Sequence, residues 1–255
     1  MKDSLFYSVM FLCIQFFSSA LVTVSIKFLA PQFATSPYVQ LAIIALFALV
    51  TIIVFIRLHW ATPTRQYLMS HPWLTIIWAV IASFGCTIPS MAFQELMPEL
   101  PNYVEEQLAA VMNAHGGYFM TCLLVPLTEE LVFRGAALRT LLKWRPDQHW
   151  RMIAVSALLF SAAHLNPAQM PHAFLVGLLL GWMYYRTKSI VPGVAFHCAN
   201  NTIAYILFKL YPDSNIKLVD VFGSQQSVLL AVLFSLLIFL PAVYQLNLWM
   251  KKTEA

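Results

Sequence analysis

Hydrophobic and polar positions in this chain separate into long blocks. Eight apolar stretches, at about 5–29, 38–58, 73–93, 117–142, 150–166, 171–186, 190–210 and 226–249, alternate with short polar connections. Pro37, Pro63, Pro101, Pro146, Pro171 and Pro212 punctuate those connections. A helix rises about 1.5 Å per residue, so about 20 apolar residues cross a hydrocarbon core roughly 30 Å thick. The fifth and sixth stretches are near the lower limit. The pattern predicts an all-α polytopic membrane protein, a bundle of about eight transmembrane helices forming one domain over 1–255. No internal repeat or low-complexity tract interrupts it.

Composition narrows this further. Of 255 residues, 60% are hydrophobic and 10% charged, with a mean hydropathy of +0.72. That balance excludes an ordinary soluble domain. The net charge of +4 is no nucleic-acid signal, because the basic residues fall in short connections. With the N-terminus inside, eleven lie on the cytoplasmic side: Lys2, Arg57, Arg65, Arg139, Lys143, Arg145, Arg151, Arg186, Lys188, Lys251 and Lys252. Only Lys27, Lys209 and Lys217 lie outside. The expectation is a multi-pass protein of the cell inner (plasma) membrane with both termini cytoplasmic. Cys13, Cys86, Cys122 and Cys198 lie inside apolar stretches and read as packing residues. Ser18-Ser19-Ala20 faintly resembles a signal-peptidase site, but the apolar run continues to Leu29, which favours an uncleaved first span. The segment 94–116 carries Glu95, Glu99, Glu105 and Glu106, and its residues Val104 to Met112 could form an amphipathic interfacial helix.

Three ionisable residues stand within the fourth apolar stretch, in Thr128-Glu129-Glu130-Leu131-Val132-Phe133-Arg134-Gly135. Each charge at bilayer depth costs roughly 2.5–3.5 kcal/mol on insertion scales, so such groups are rare and point to function. Glu130 and Arg134 are spaced i,i+4 and can neutralise each other. Glu129, about 100° round the helix, has no such partner and needs one from another helix. Two further stretches carry polar groups: Phe160-Ser161-Ala162-Ala163-His164 and His197-Cys198-Ala199-Asn200-Asn201. From the cytoplasmic edges, Glu129 lies about 20 Å deep, His164 about 21 Å, His197 about 10 Å and Asn201 about 16 Å. These residues can therefore share one polar layer inside the bundle.

Such a group has definite chemical uses. A carboxylate beside an imidazole can activate water for attack on a carbonyl. Asn201 can donate to a developing oxyanion. Two His and a carboxylate are also a zinc ligand set with an open position. No H-E-x-x-H is present, and no Ser or Cys is placed beside a His as a nucleophile would be.

Glu129-Glu130-x-x-x-Arg134, Phe160-x-x-x-His164 and His197-x-x-x-Asn201 resemble the three signature motifs of the CPBP family, flanked by the fitting Pro126-Leu127-Thr128 and Phe133-Arg134-Gly135. That family of intramembrane proteases includes CAAX prenyl endopeptidases and bacteriocin-processing or self-immunity proteins. The resemblance covers about 117–210. It implies an eight-helix bundle and hydrolysis of a peptide bond in a peptide or membrane-protein substrate. By motif, Glu129 and His164 would activate water, while His197 and Asn201 would position it and stabilise the oxyanion. Glu130, Arg134 and Phe160 would support them. The family is commonly called metalloprotease, though a metal-free glutamate mechanism is also argued. If Zn2+ binds, Glu129, His164 and His197 are its ligand candidates.

Two other classes compete with a hydrolase: a non-catalytic membrane binder, immunity or scaffold protein of the same fold, and a proton-coupled transporter. The remaining polar residues have plainer readings. His172 reads as interfacial and His115 as a turn residue. His59, His71 and His149 adjoin Trp60, Trp73 and Trp150 as interfacial anchors. Gly177 and Gly181 form a G-x-x-x-G face for internal helix packing. Thr128 and Ser161 are expected to bond back to their own helices.

Overall fold

The computed structural model describes residues 1–61, 65–211 and 216–251. Pro63, Pro212 and Lys252 lie outside the described residues. The described chain is helical and contains no strand. Its main helices are α1 (Lys2–Leu29), α2 (Pro37–Arg57), α3 (Trp73–Glu95), the short α4 (Glu105–Asn113), α5 (117–144), α6 (His149–Ala163), α7 (Met170–Thr187), α8 (Val191–Leu210) and α9 (Gln225–Lys251). α1, α2, α3 and α9 are long and apolar enough to cross a membrane. Their apolar side chains also point outward. Phe16, Phe17 and Phe28 on α1, Ile53 on α2, Phe84 on α3 and Phe234 and Leu237 on α9 are all exposed. A lipid solvent makes such a surface favourable.

Local sequence accounts for several boundaries. Ser36 caps α2, accepting from the Tyr38 N–H at 3.4 Å, with Pro37 in the first turn. Gly116, at φ +91°, turns the chain after α4, and Gly117 begins α5 against the Val111 backbone, where a Cβ would clash. His115 lies in this turn, as expected. Pro89 within α3 and Pro241 within α9 each remove one helical N–H donor.

α9 packs along α3, α6 along α7, and α8 between α3 and α5. α1 and α2 pair and cover the outer side of α5. Gly177 and Gly181 are the contact face of the α6–α7 pair. A Cβ on Gly177 would lie 3.0 Å from the Ala157 Cβ, and one on Gly181 2.8 Å from the Ile153 side chain. Phe11, Phe47, Phe133 and Phe160 form the aromatic centre, Phe133 edging both Phe11 (5.1 Å) and Phe160 (5.4 Å).

α5 departs from ideal helix geometry twice. It runs as π-helix over Phe119–Leu124 and again over Phe133–Leu138, on either side of the α-helical turns Val125–Val132. A π-register shifts backbone donors by one residue and leaves carbonyls that need other partners. Serine hydroxyls supply two of them: Ser4 on α1 donates to the Ala137 carbonyl at 3.0 Å and Ser156 on α6 to the Phe133 carbonyl at 3.1 Å. α1 is thereby tied to the centre of the bundle.

Candidate active site

A buried ion pair on α5, Glu130 with Arg134, touches His197 of α8 and Phe160 of α6. Glu130 and Arg134 are fully buried, and the Arg134 Nη1 donates to Glu130 Oε1 at 2.9 Å. The same guanidinium donates through Nη2 to the Gly177 carbonyl at 3.3 Å and lies 4.3 Å from the centroid of the Phe160 ring. The pair therefore links α5 to α6 and α7. Glu130 also reaches α8, because Oε1 accepts from His197 Nδ1 at 3.2 Å. Gly193, one turn earlier on α8, permits this approach: a Cβ there would lie 2.8 Å from Glu130 Oε2.

His197 is held between two carboxylates. Its Nδ1 faces Glu130 and its Nε2 faces Glu129 Oε2 at 3.6 Å. The Glu130 carboxylate, held by Arg134, offers an acceptor oxygen to His197. Nδ1 therefore carries a ring proton directed at Glu130, and Nε2 is the ring atom directed at Glu129. Glu129, without a partner in its own helix, thus finds one on α8. Its side chain is 13% exposed, whereas Glu130 is sealed.

His164 occupies the end of α6, just past its last helical residue, not the interior of a span. Its Nδ1 lies 2.9 Å from the Phe160 carbonyl, so Nδ1 carries a proton and donates it there. No ion pair joins His164 to Glu129 among the described residues. The Phe160 ring relates the imidazoles instead, edge-on to His164 at 4.9 Å and to His197 at 5.7 Å.

Asn201 lies one turn beyond His197 on α8. Its Nδ2 donates to the Thr121 carbonyl at 2.9 Å. That carbonyl is free for a local reason. In the first π segment the Val125 N–H bonds to the Met120 carbonyl, so the next residue would serve Thr121, but it is Pro126 and has no N–H. Thr128 bonds back to Leu124, as expected, at 2.8 Å. Ser161 does not bond to its own helix: it donates to the Met170 carbonyl at 2.7 Å and closes the α6–α7 turn.

The zinc expectation fits this arrangement poorly. No group of three His, Cys, Asp or Glu side chains is gathered closely enough to hold a metal ion among the described residues. Glu129 and His197 approach each other, but His164 does not complete the set.

Two features escaped sequence reasoning. His172, expected at the interface, is hydrogen-bonded within the bundle, its Nδ1 2.6 Å from Ser90 Oγ and its Nε2 3.3 Å from Asn200 Nδ2. Asn166, fully buried, binds the connection before α4: it accepts from the Tyr103 N–H at 3.0 Å and donates to Asn102 Oδ1 at 2.9 Å. His164-Leu165-Asn166 carried that signal, a lone Asn two residues beyond a motif His.

Residues 109–203 match the model of a family described as type II CAAX prenyl endopeptidase Rce1-like. The matched segment contains all three motifs, so this part of the chain is similar to the type II CAAX prenyl endopeptidases. No curated protein and no solved structure matches.

Proposed function

We propose that this chain is an intramembrane endopeptidase of the CAAX-protease type, hydrolysing a peptide bond with water activated in the pocket of Glu129, His164, His197 and Asn201. The observation that carries the reading is the clamping of His197 between Glu129 and the buried Glu130–Arg134 pair. Packing alone gives no reason to hold two carboxylates, a guanidinium and an imidazole together at bilayer depth.

The chemistry follows from which atoms accept and which donate. Glu129 Oε2 and His197 Nε2 face each other at 3.6 Å, and with the single ring proton of His197 on Nδ1 both atoms accept. A water beside them gives one hydrogen to each and keeps a lone pair for the substrate carbonyl. As it attacks, Glu129 takes one of its protons, and His164 Nε2 provides a second basic site near the reaction. The carbonyl oxygen becomes negative, and the unused N–H of Asn201 Nδ2 donates to it. The proton held by Glu129 then passes to the departing amine, and the peptide bond breaks. Glu130 and Arg134 touch neither water nor substrate; they fix the ring and proton of His197. No step runs through a metal.

Eight membrane crossings, an inner-membrane location and cytoplasmic termini complete the proposal. Contacts between chain connections support this topology. Lys209 donates to Asn113 Oδ1 (2.6 Å), and Glu95 accepts from the Leu218 N–H (2.6 Å), each joining segments assigned outside. Arg139 donates to the Trp60 carbonyl (2.7 Å), joining segments assigned inside.

The test compares wild type with Glu129→Ala and His164→Ala by proteomics of membrane peptides. Cleavage products present in wild type should vanish in both variants while each still inserts and folds. Unchanged products in either would refute the mechanism, and a cellular effect that survives Glu129→Ala would mark a non-catalytic binder.

A further inference from the structure

From Asn201 a line of polar side chains crosses three helices, and its other members, Ser90, His172 and Asn200, take no part in the proposed chemistry. It runs from Ser90 on α3 through His172 on α7 to Asn200 and Asn201 on α8. All four residues are half-buried. Ser90 lies outside the segment that matches the protease family.

The donors in this line diverge from Asn200, one branch running to Ser90 and the other to Asn201. Asn200 Nδ2 reaches His172 Nε2 at 3.3 Å. An amide N–H can only donate, so Nε2 accepts, and the imidazole proton is on Nδ1, directed at Ser90 Oγ at 2.6 Å. The other proton of Asn200 Nδ2 points to Asn201 Oδ1, 3.5 Å away. Asn201 in turn donates one N–H to the Thr121 carbonyl at 2.9 Å. Its Oδ1 and one Nδ2 proton are thereby engaged, and the plane of its amide is set. The second Nδ2 proton has no partner among the described residues, which is the condition for a donor kept ready for an oxyanion.

We propose that His172, braced by Ser90, is a positioning residue: through Asn200 it fixes the amide orientation of Asn201. This rests on the functional reading of Asn201 given above. α3, which supplies no motif residue, thereby gains a role in the site. Without the imidazole, Asn200 loses its acceptor and can rotate, and Asn201 keeps only its bond to α5.

The test has an arm that needs no turnover. In full-length protein labelled with 15N-asparagine and held in lipid nanodiscs, hydrogen exchange of the Asn201 side-chain amide is followed by NMR, its signal assigned with Asn201→Asp. Losing one hydrogen bond speeds exchange roughly two- to tenfold. His172→Leu and Asn200→Leu should show that acceleration. His172→Gln, whose carbonyl can accept from Asn200, should restore slow exchange, and Ser90→Ala, which removes a single hydroxyl, should give a partial effect. Equal exchange in wild type and His172→Leu overturns the proposal, as does failure of Gln to rescue where Leu accelerates.

The second arm uses an internally quenched farnesylated peptide ending in a C-A-A-X sequence. His172→Leu should lower kcat with KM unchanged, and adding it to Asn201→Ala should lower kcat no further. Independent, multiplicative losses overturn the positioning role. Full turnover by Asn201→Ala instead sinks the reading of Asn201 as oxyanion donor, and amide exchange still decides whether His172 orients it.

Discussion

Replacing Arg134 with Met removes the cation beside a carboxylate that has no access to solvent. Arg134 and Glu130 side chains are 1% and 0% exposed, and their contact is 2.9 Å. In Arg134→Met, Glu130 remains buried with His197 as its one hydrogen-bond partner, and Oε2 is already without one. Breaking a buried pair in this way costs about 3–5 kcal/mol. The contact with the Phe160 ring, worth about 0.5–2 kcal/mol when desolvated, goes as well. Against a total stability of about 5–15 kcal/mol, this loss is large. Thermal unfolding in detergent or nanodiscs should show a markedly lower midpoint. The double variant Glu130→Leu/Arg134→Met removes both charges and leaves no isolated one, and such replacements are often neutral or stabilising. It should recover most of the lost stability yet stay inactive, because His197 Nδ1 has lost its acceptor. An Arg134→Met protein as stable as wild type, or a double variant no better than the single one, would refute this account of the pair.

Gly193→Ala places a methyl 2.8 Å from Glu130 Oε2; the carboxylate must shift away from His197, costing about 1–3 kcal/mol and lowering turnover, measurable by unfolding and cleavage assays. Gly181→Leu should separate α6 from α7, since even a methyl meets Ile153 at 2.8 Å, and the loss should appear as a lower unfolding midpoint with pocket residues intact. Asn201→Ala should cut kcat by about 10²–10³ through loss of the oxyanion donor, with KM little changed. The same substitution leaves the Thr121 carbonyl unpaired, a cost of about 1–3 kcal/mol that a stability measurement separates from the kinetic effect.

Element positions were legible because the apolar blocks are long and prolines and glycines mark their ends. α2 (Pro37–Arg57) and α8 (Val191–Leu210) fall within a residue of the stretches read at 38–58 and 190–210. The pairing of Glu130 with Arg134 was legible too, since i,i+4 spacing is a local property. Glu129 could be recognised as needing a partner, but not which one, because His197 reaches it through the packing of α8 on α5. The π segments of α5 carry no signal in hydrophobic periodicity. Pro126 is the one local mark, since its missing N–H frees the carbonyl that Asn201 binds. His172 does lie in the first turn of α7, the span edge expected, but its partners Ser90 and Asn200 come from distant helices and leave no local signal. His164 proved to lie at a helix end, because α6 stops at Ala163.

The most direct measurement of the central claim follows the oxygen of the water. Membranes containing wild type or Glu129→Ala are incubated in H2(18)O, and newly formed peptide C-termini are read by mass spectrometry. A pocket in which Glu129 drives water onto the peptide carbonyl predicts 18O-labelled C-termini with wild type and none with Glu129→Ala. Labelled termini in equal amounts from both would contradict it.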